Sequence, residues 1–271
     1  MKIGNKEFDT LNNTYVMGIL NVTPDSFSDG GKFNEKAAAL KQVEKMVKEG
    51  ADIIDIGGES SRPGYEHISV EEEIERTAPI IEAIKKEIDI PISIDTYHAK
   101  CALAAVRAGA DMINDIWGLR HERETDMAKV VADTNAAVCI MHNRSVAEYP
   151  EGFLNGVKAD LRESVDIAMK AGILPEKIVL DPGIGFAKSF EENLLMLKHM
   201  SELHEFGLPL LLGTSRKSVI GNALSLPINE REEGTITTSV LAAVNHYAFV
   251  RVHDVEKNVR ALKMYYAIIN A

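Results

Sequence analysis

The 271-residue sequence contains few cysteines, one tryptophan and a deficit of positive charge. Its two cysteines, Cys101 and Cys139, lack metal-ligand spacing, which argues against a structural zinc site and predicts reduced thiols in a cytoplasmic protein. The chain has 41 acidic and 30 basic residues, a formal net charge of −11. No basic patch is evident that could neutralise phosphates, so nucleic acid is not expected as a partner.

Long apolar runs are also absent. No run approaches the roughly 20 residues of a membrane span, and the first ten residues, MKIGNKEFDT, lack the apolar core of a signal peptide. The sequence therefore predicts no membrane partner. With 45% hydrophobic and 26% charged residues, the composition is that of an ordinary globular protein.

Short apolar runs alternate with helical patterns along the whole chain. The predicted strands are 15–20, 52–57, 91–95, 111–115, 136–141, 177–181, 208–213 and 247–253. Most are continuous apolar runs, as expected of parallel strands covered on both faces. Eight strands separated by helices predict a (β/α)8 TIM barrel that spans residues 1–271 as a single domain, with an open doubly wound sheet as the alternative.

Polar residues stand at the end of every predicted strand. They are Asn21, Asp55, Asp95, Asn114, Asp115, His142, Asn143, Asp181, Ser215, Arg216, Lys217, Arg251 and His253. Active sites of such barrels lie at the carboxyl ends of the strands, so these side chains are predicted to converge on one pocket. The alternative is that some of them cap the following helices, a role predicted for Thr96 and Asp254.

The acidic residues suggest a ligand. Asp95, Asp115 and Asp181 each end an apolar strand, and a buried carboxylate needs donors or a cation to stay ionised. Two adjacent N–H groups on a flat heterocycle, such as the 2-amino-4-oxo pyrimidine edge of a pterin or guanine, would bind one in bidentate fashion. Asn114 and Lys217 could add further hydrogen bonds. The alternative is a structural salt bridge between Asp181 and Lys217.

The cations suggest a phosphate on the same ligand. Arg62, Lys217, Arg251 and His253 follow different strands of an acidic protein, and arginine suits both phosphate oxygens and flat rings. Asn21 is a neutral oxygen ligand of the kind that Mg²⁺ accepts when substrate phosphates and water complete its shell. These residues predict a flat heterocycle that carries a phosphate or diphosphate, with Mg²⁺ as cofactor.

Several ordered motifs resemble those of one family. They are GILNVTPDSFSDGG, GADIIDIGGESSRPG, ISIDT, INDI, MHNR, LDPGIGFAK, TSRKS and RVHDV. Together they make the chain similar to dihydropteroate synthases, the folate-pathway transferases targeted by sulfonamides. The resemblance implies a Mg²⁺-assisted condensation of 6-hydroxymethyl-7,8-dihydropterin diphosphate with p-aminobenzoate, which gives 7,8-dihydropteroate and pyrophosphate. It also implies a homodimer, and sulfonamides as inhibitors.

The resemblance further implies which residues form the site. The implied pterin-binding residues are Asp95, Asn114, Ile116, Met141, Asp181, Lys217 and Arg251. The implied diphosphate ligands are Asn21, Arg62, Arg251 and His253, with Asn21 also at the metal. The implied p-aminobenzoate surroundings are Phe27, Ser61, Arg62, Pro63, Phe186, Ser215 and Lys217. Asp95, Asp181, Lys217 and Arg251 are the implied catalytic residues.

The sequence departs from the family pattern at two places. Ser61 replaces a threonine, which keeps the hydroxyl, and MHNR stands where other members carry a glutamine–glycine pair. The long polar segment NVTPDSFSDGG after the first barrel strand is predicted to be a lid over the site, with SSRPG as its partner. Two rival functions are a methyltetrahydrofolate-binding methyltransferase barrel and a pterin-binding paralogue without activity.

Overall fold

The computed structural model describes residues 1–22, 31–59, 68–121 and 126–271, with the backbone alone for residues 31–35. Parallel strands run through these residues in the places that the apolar runs predict. They are β3 (Tyr15–Asn21), β4 (Ile53–Gly57), β5 (Ile92–Asp95), β6 (Met112–Asp115), β7 (Ala137–Met141), β8 (Ile178–Asp181), β9 (Leu211–Leu212) and β10 (Phe249–Val252).

The strands close into a barrel. Their order in the sheet is β8-β7-β6-β5-β4-β3-β10-β9, so the edge strands are β8 and β9. A parallel bridge between Leu180 and Leu210 joins these two edges. The predicted (β/α)8 TIM barrel is therefore confirmed, and the alternative of an open doubly wound sheet is wrong.

Helices connect the strands on the outside of the barrel. They are α1 (Gly31–Glu49), α2 (Val70–Glu87), α3 (Ala99–Ala108), α4 (Met127–Thr134), α5 (Phe153–Lys170), α6 (Phe190–Lys198), α7 (Ser218–Leu224), α8 (Glu232–Val244) and α9 (Val255–Ile269). Single turns of 3-10 helix lie at Pro175–Lys177 and Ile228–Glu230, and a longer 3-10 segment covers Met200–Phe206. In the described part of the chain, no helix is both long and apolar enough to cross a membrane.

Alternate residues of each strand face two different environments. In β4, Ile54 and Ile56 join the large core between the sheet and the helices, whereas Ile53 joins a smaller cluster inside the barrel. Both sets are fully buried, which explains why the sequence of a strand is continuously apolar rather than alternating. Asp55 follows Ile53 on the inward face, so the barrel interior is apolar below and polar above.

An N-terminal hairpin, which the apolar runs did not indicate, closes the base of the barrel. Its strands β1 (Lys2–Ile3) and β2 (Lys6–Glu7) are antiparallel and only two residues long. Ile3 and Phe8 belong to the interior cluster, and the Phe8 ring lies 5.5 Å from that of Phe249 in β10. The hairpin keeps water from the lower end of the barrel, opposite the polar strand ends.

Two predicted helix caps have different outcomes. Asp254 accepts a hydrogen bond from the Lys257 N–H at the start of α9, as predicted. The prediction for Thr96 is wrong, because α3 begins later and His98 occupies its N-cap position. Thr96 instead accepts the N–H of His98 in the turn before the helix. Cys101 and Cys139 are buried free thiols, as predicted.

Candidate active site

The register of the strands places the polar residues at one height. Gly57 of β4 pairs with Asn21 of β3 and with Asp95 of β5, and Asp95 pairs with Asn114 of β6. Parallel strands in this register end at the same rim, so their last side chains face a common space. A side chain at Gly57 would contact both Asp95 and Asn21, which shows how closely these residues approach.

An arginine from β10 joins two carboxylates across the barrel. Arg251 donates from Nε to Asp55 Oδ2 at 2.5 Å and from Nη2 to Asp95 Oδ2 at 2.6 Å. The Asp55 side chain is fully buried, and those of Asp95 and Arg251 keep 9% and 17% of their surface exposed. Burial acts to lower the pKa of Arg251, but the two carboxylates outweigh it and raise that pKa. The guanidinium is therefore a permanent cation in the pocket.

Burial also shifts the acids. It raises the pKa of Asp95 to about 7, and Arg251 offsets only part of this effect. It raises the pKa of Asp181 as well, against the opposing influence of Lys217 and of the Gly183 N–H that donates to Asp181 Oδ1 at 2.7 Å. A ligand that supplies further hydrogen-bond donors would therefore stabilise the ionised form of both carboxyl groups.

A lysine and a glycine complete the floor of the pocket beside Asp181. Lys217 Nζ donates to the Ile184 carbonyl at 2.5 Å and lies 4.7 Å from the centre of the Phe186 ring. A Cβ atom at Gly213 would lie 3.5 Å from Asp181 Oδ2 and 3.9 Å from Lys217 Nζ, so glycine leaves the space between them open. Within the described residues, Asp181 and Lys217 form no ion pair with each other, which argues against the purely structural alternative.

A serine and a histidine meet at the rim. Ser215 follows β9 and His253 follows β10, and Ser215 Oγ lies 2.9 Å from His253 Nδ1. The Ser215 hydroxyl also accepts the His253 backbone N–H at 3.1 Å. These contacts hold the His253 imidazole beside the strand that carries Arg251.

A family model described as "Pterin binding enzyme" matches residues 17–253. A dihydropteroate synthase from Clostridium beijerinckii is 56% identical over 265 residues, which cover 97% of either chain. The chain belongs to the dihydropteroate synthase family.

Solved dihydropteroate synthases share the fold of this chain. The enzyme from Clostridium difficile, crystallised in the presence of pteroic acid, is 49% identical and superimposes with a TM-score of 0.93 over 98% of this chain and 100% of its own. The Yersinia pestis enzyme in a sulfonamide drug complex is 38% identical, with a TM-score of 0.91 over 100% of this chain and 99% of its own.

The structure brings together most of the residues that the family resemblance implies. Ile116 follows β6 directly and is half-buried, and Met141, the last residue of β7, pairs with Asp181. Asn21 ends β3, and the Phe186 ring lies beneath the Lys217 ammonium. Four residues to which the family resemblance assigns a role in the site lie outside the described residues: Phe27, Ser61, Arg62 and Pro63. The lid prediction for NVTPDSFSDGG also falls mainly on residues that are not described.

Two aspartates have other functions than the sequence predicted. Asp115, which the sequence grouped with the ligand-binding acids, accepts the backbone N–H groups of Trp117 and Leu119 and thereby fixes its own loop. The sequence places Asp55 among the strand-end residues that converge on the pocket but predicts no role for it, and in the structure it binds Arg251 and accepts from Asn114 Nδ2 at 3.3 Å. Its position two residues after Ile53, on the inward face, is the signal that could have identified it.

Proposed function

We propose that this chain catalyses the dihydropteroate synthase reaction, in which a dihydropterin diphosphate and p-aminobenzoate give 7,8-dihydropteroate and pyrophosphate. The observation that carries the proposal is the convergence of two buried carboxylates, Asp95 and Asp181, with two cations, Lys217 and Arg251, at one barrel mouth. The geometry suits a flat heterocycle with N–H donors on one side and an anionic leaving group on the other.

The carboxylates recognise the pterin edge in this proposal. Asp181 has one oxygen on the Gly183 N–H, and its Oδ2 faces the space beside Gly213 and Lys217. The 2-amino group and the neighbouring ring N–H of a pterin would donate to this carboxylate as a bidentate pair. Lys217 would donate to the ring carbonyl, and the buried Asn114, which pairs with Asp95 in the sheet, would contribute a further polar contact.

Arg251 and His253 receive the diphosphate. Arg251 is held by Asp55 and Asp95, so its guanidinium is already oriented before substrate binds, and His253 is held by Ser215. Hydrogen-bond donors and charges that are fixed in advance stabilise the charge that develops on a departing diphosphate without further reorganisation. Arg251 is thus proposed to act electrostatically, not as a proton donor.

The residues present fit Mg²⁺ only as an ion shared with substrate. The described residues hold no group of three or more His, Cys, Asp or Glu side chains that could cage a metal. Asn21 offers one neutral oxygen at the rim, which suits an ion that takes its other ligands from diphosphate and water. Asn21 would hold the ion, which would neutralise charge on the leaving group.

The proposed substitution begins with cleavage of the bond between the pterin methylene carbon and the diphosphate oxygen. The bonding electrons leave with pyrophosphate, and the dihydropterin ring delocalises the resulting positive charge. Asp95 and Asp181 favour this cation over the neutral ground state. The p-aminobenzoate nitrogen then bonds to the methylene carbon and loses a proton to pyrophosphate or water, so no side chain acts as nucleophile.

The direct test is product formation by the purified chain. With 6-hydroxymethyl-7,8-dihydropterin diphosphate, p-aminobenzoate and Mg²⁺, chromatography is expected to show dihydropteroate and pyrophosphate in equal amounts, and a chelator should suppress both. Pterin binding without product would favour the inactive paralogue. The absence of both pterin binding and product would reject the proposal.

The activity is expected to fall at alkaline pH because of Lys217. Burial lowers the pKa of Lys217 to about 8, although Asp181 opposes this effect. Above that pH the free enzyme loses the Lys217 charge that would face the pterin carbonyl, while Arg251 stays charged, so kcat/KM for the pterin diphosphate should decline from about pH 8 upward. In Lys217→Arg the guanidinium stays protonated, and the decline near pH 8 should vanish even if the plateau is lower. An unchanged decline in this variant would contradict the assignment.

We propose a homodimer that forms through an α8–α9 apolar surface. Leu241 and Val244 on α8 and Met264 and Ile268 on α9 are all exposed, with Val244, Met264 and Ile268 more than half exposed. The Tyr265 hydroxyl donates to the Ala243 carbonyl, which brings the two helices together there. Light scattering is expected to give twice the chain mass of 29.8 kDa, and Val244→Asp should halve that value. A monomeric wild type would contradict the proposal.

Two further properties belong to the same proposal. Sulfonamides, as mimics of p-aminobenzoate, are proposed to inhibit the chain by competing for its site.

The buried free thiols of Cys101 and Cys139 support a reducing compartment, and we place the protein in the cytoplasm on that ground.

A further inference from the structure

Lys188 lies outside the pocket and contacts one side chain and two backbone carbonyls. Its Nζ lies 2.7 Å from His142 Nδ1 and donates to the carbonyls of Gly183 at 2.9 Å and Phe186 at 3.0 Å. A lysine ammonium has three N–H donors, and here each one has an acceptor. This arrangement is unlike a surface lysine, whose head group is solvated.

The contact with Asp160 fixes the state of the His142 imidazole. Against the effect of burial, hydrogen bonds from neighbouring groups lower the pKa of Asp160, so its carboxylate can only accept. The ring proton therefore lies on Nε2, which donates to Asp160 Oδ2 at 2.9 Å. Nδ1 is left to accept from Lys188. Burial lowers the pKa of His142 to about 4, so the ring is neutral at pH 7. Asp160 is held in turn by Arg144 at 2.5 Å and Arg120 at 3.2 Å. The chain of contacts leads from two arginines to Lys188 without interruption.

The carbonyls that Lys188 binds belong to one loop of the active site, residues 183–187. The Ile184 carbonyl of the same loop accepts from Lys217, and Phe186 lies under the Lys217 ammonium. The loop lies so close to the backbone at His142 that a Cβ atom at Gly183 would overlap the His142 carbonyl. Gly183 also has a φ of +68°, a conformation that favours glycine. The loop therefore sets where the Phe186 ring lies, whereas Lys217 reaches the loop from the N-cap of α7.

We propose that Lys188 is a positioning residue for the aromatic-amine half of the site. By holding the carbonyls of Gly183 and Phe186, it fixes the Phe186 ring against which the p-aminobenzoate ring would pack. Asp181 ends strand β8 and Lys217 is the N-cap residue of α7, so both pterin-binding side chains start outside the loop that Lys188 holds. Pterin binding therefore depends less on Lys188. The inference rests on the proposed function and assigns a residue that does not touch substrate.

The test separates the two substrates. Lys188→Met removes the three donors at similar volume, and it is expected to raise the KM for p-aminobenzoate about tenfold while the KM for the pterin diphosphate changes less than about twofold. Lys198→Met, an exposed lysine at the end of α6, removes the same charge and should leave both values unchanged. A wild type without activity would reject the proposed function, whereas an active wild type with equal KM shifts in Lys188→Met would reject only the positioning role.

A second variant covers the case in which Lys188→Met does not fold. The Tyr149 hydroxyl donates to the Ala187 carbonyl at 2.7 Å and so anchors the same loop from the other side. Tyr149→Phe removes that one bond, and it is expected to raise the KM for p-aminobenzoate about threefold without a change for the pterin. A fall in kcat with both KM values constant, in either variant, would indicate a merely structural role and overturn the inference.

Discussion

Replacing Asp181 with asparagine is expected to lower kcat/KM for the dihydropterin diphosphate about 100-fold or more. The amide retains the shape of the carboxylate but loses its charge and turns one acceptor into a donor. Donors on the ligand would then face a donor in a buried pocket, where an unsatisfied or repulsive polar contact is costly. Steady-state kinetics and calorimetric titration with the pterin substrate analogue 6-hydroxymethylpterin would measure the loss.

The same variant should not be less stable than the wild type. Burial raises the pKa of Asp181, so the ionised carboxylate is unfavourable in the free protein at neutral pH, and a neutral amide removes that penalty. The melting temperature of Asp181→Asn is therefore expected to equal or exceed that of the wild type. Asp166→Asn, on the exposed face of α5, is the matched control and should change neither quantity. An Asp181→Asn variant within threefold of wild-type kcat/KM would remove Asp181 from the pterin site.

The fold could be predicted from the sequence because its signals are local. Each barrel strand is a short apolar run, and parallel strands of a closed barrel end at one rim whatever their pairing. The convergence of Asp95, Asp181, Lys217 and Arg251 follows from topology alone. The hairpin at the base escaped prediction because strands of two residues carry no periodicity.

The partners of the polar residues could not be predicted in the same way. Arg251 and Asp55 are 196 positions apart, and only the barrel geometry brings their side chains together. Asp115 has the same sequence context as Asp181, an acid at the end of an apolar strand, yet its carboxylate turns back to the N–H groups of its own loop. Side-chain direction at a strand end decides between ligand binding and loop fixation, and the order of residue types does not encode it.

The contacts of Lys188 show that the motif LDPGIGFAK does not reveal the separate role of each of its residues. As a whole the motif indicates the family, but its glycines and its lysine have different structural roles. Gly183 allows the close approach to His142, and Lys188 binds the loop that this approach creates. The segment MHNR, which departs from the family pattern, contributes His142 and Arg144 to the chain of contacts that leads to Lys188 and so supports the loop from behind.

Replacing Arg251 with methionine is expected to remove both activity and a large part of the stability. Asp55 and Asp95 would keep their buried carboxylates without the guanidinium, and the loss of one partner from a buried ion pair destabilises proteins by about 3–5 kcal/mol. For a chain of this size that corresponds to a melting temperature lower by roughly 6–20 °C. Arg162→Met is the control: its exposed pair with Glu205 should contribute less than about 1 kcal/mol.

A second substitution separates the two effects of Arg251. In the double variant Asp55→Asn with Arg251→Met, one of the two uncompensated charges is gone, so calorimetry should show a higher melting temperature than for Arg251→Met alone. Activity should stay at least about 1000-fold below wild type in both variants, because the cation that faces the leaving diphosphate is absent from each. If activity returned together with stability, Arg251 would be a structural residue, and the diphosphate would have to be stabilised by other groups. Stability that returns without activity would assign Asp55 to the support of Arg251 and Arg251 to the chemistry.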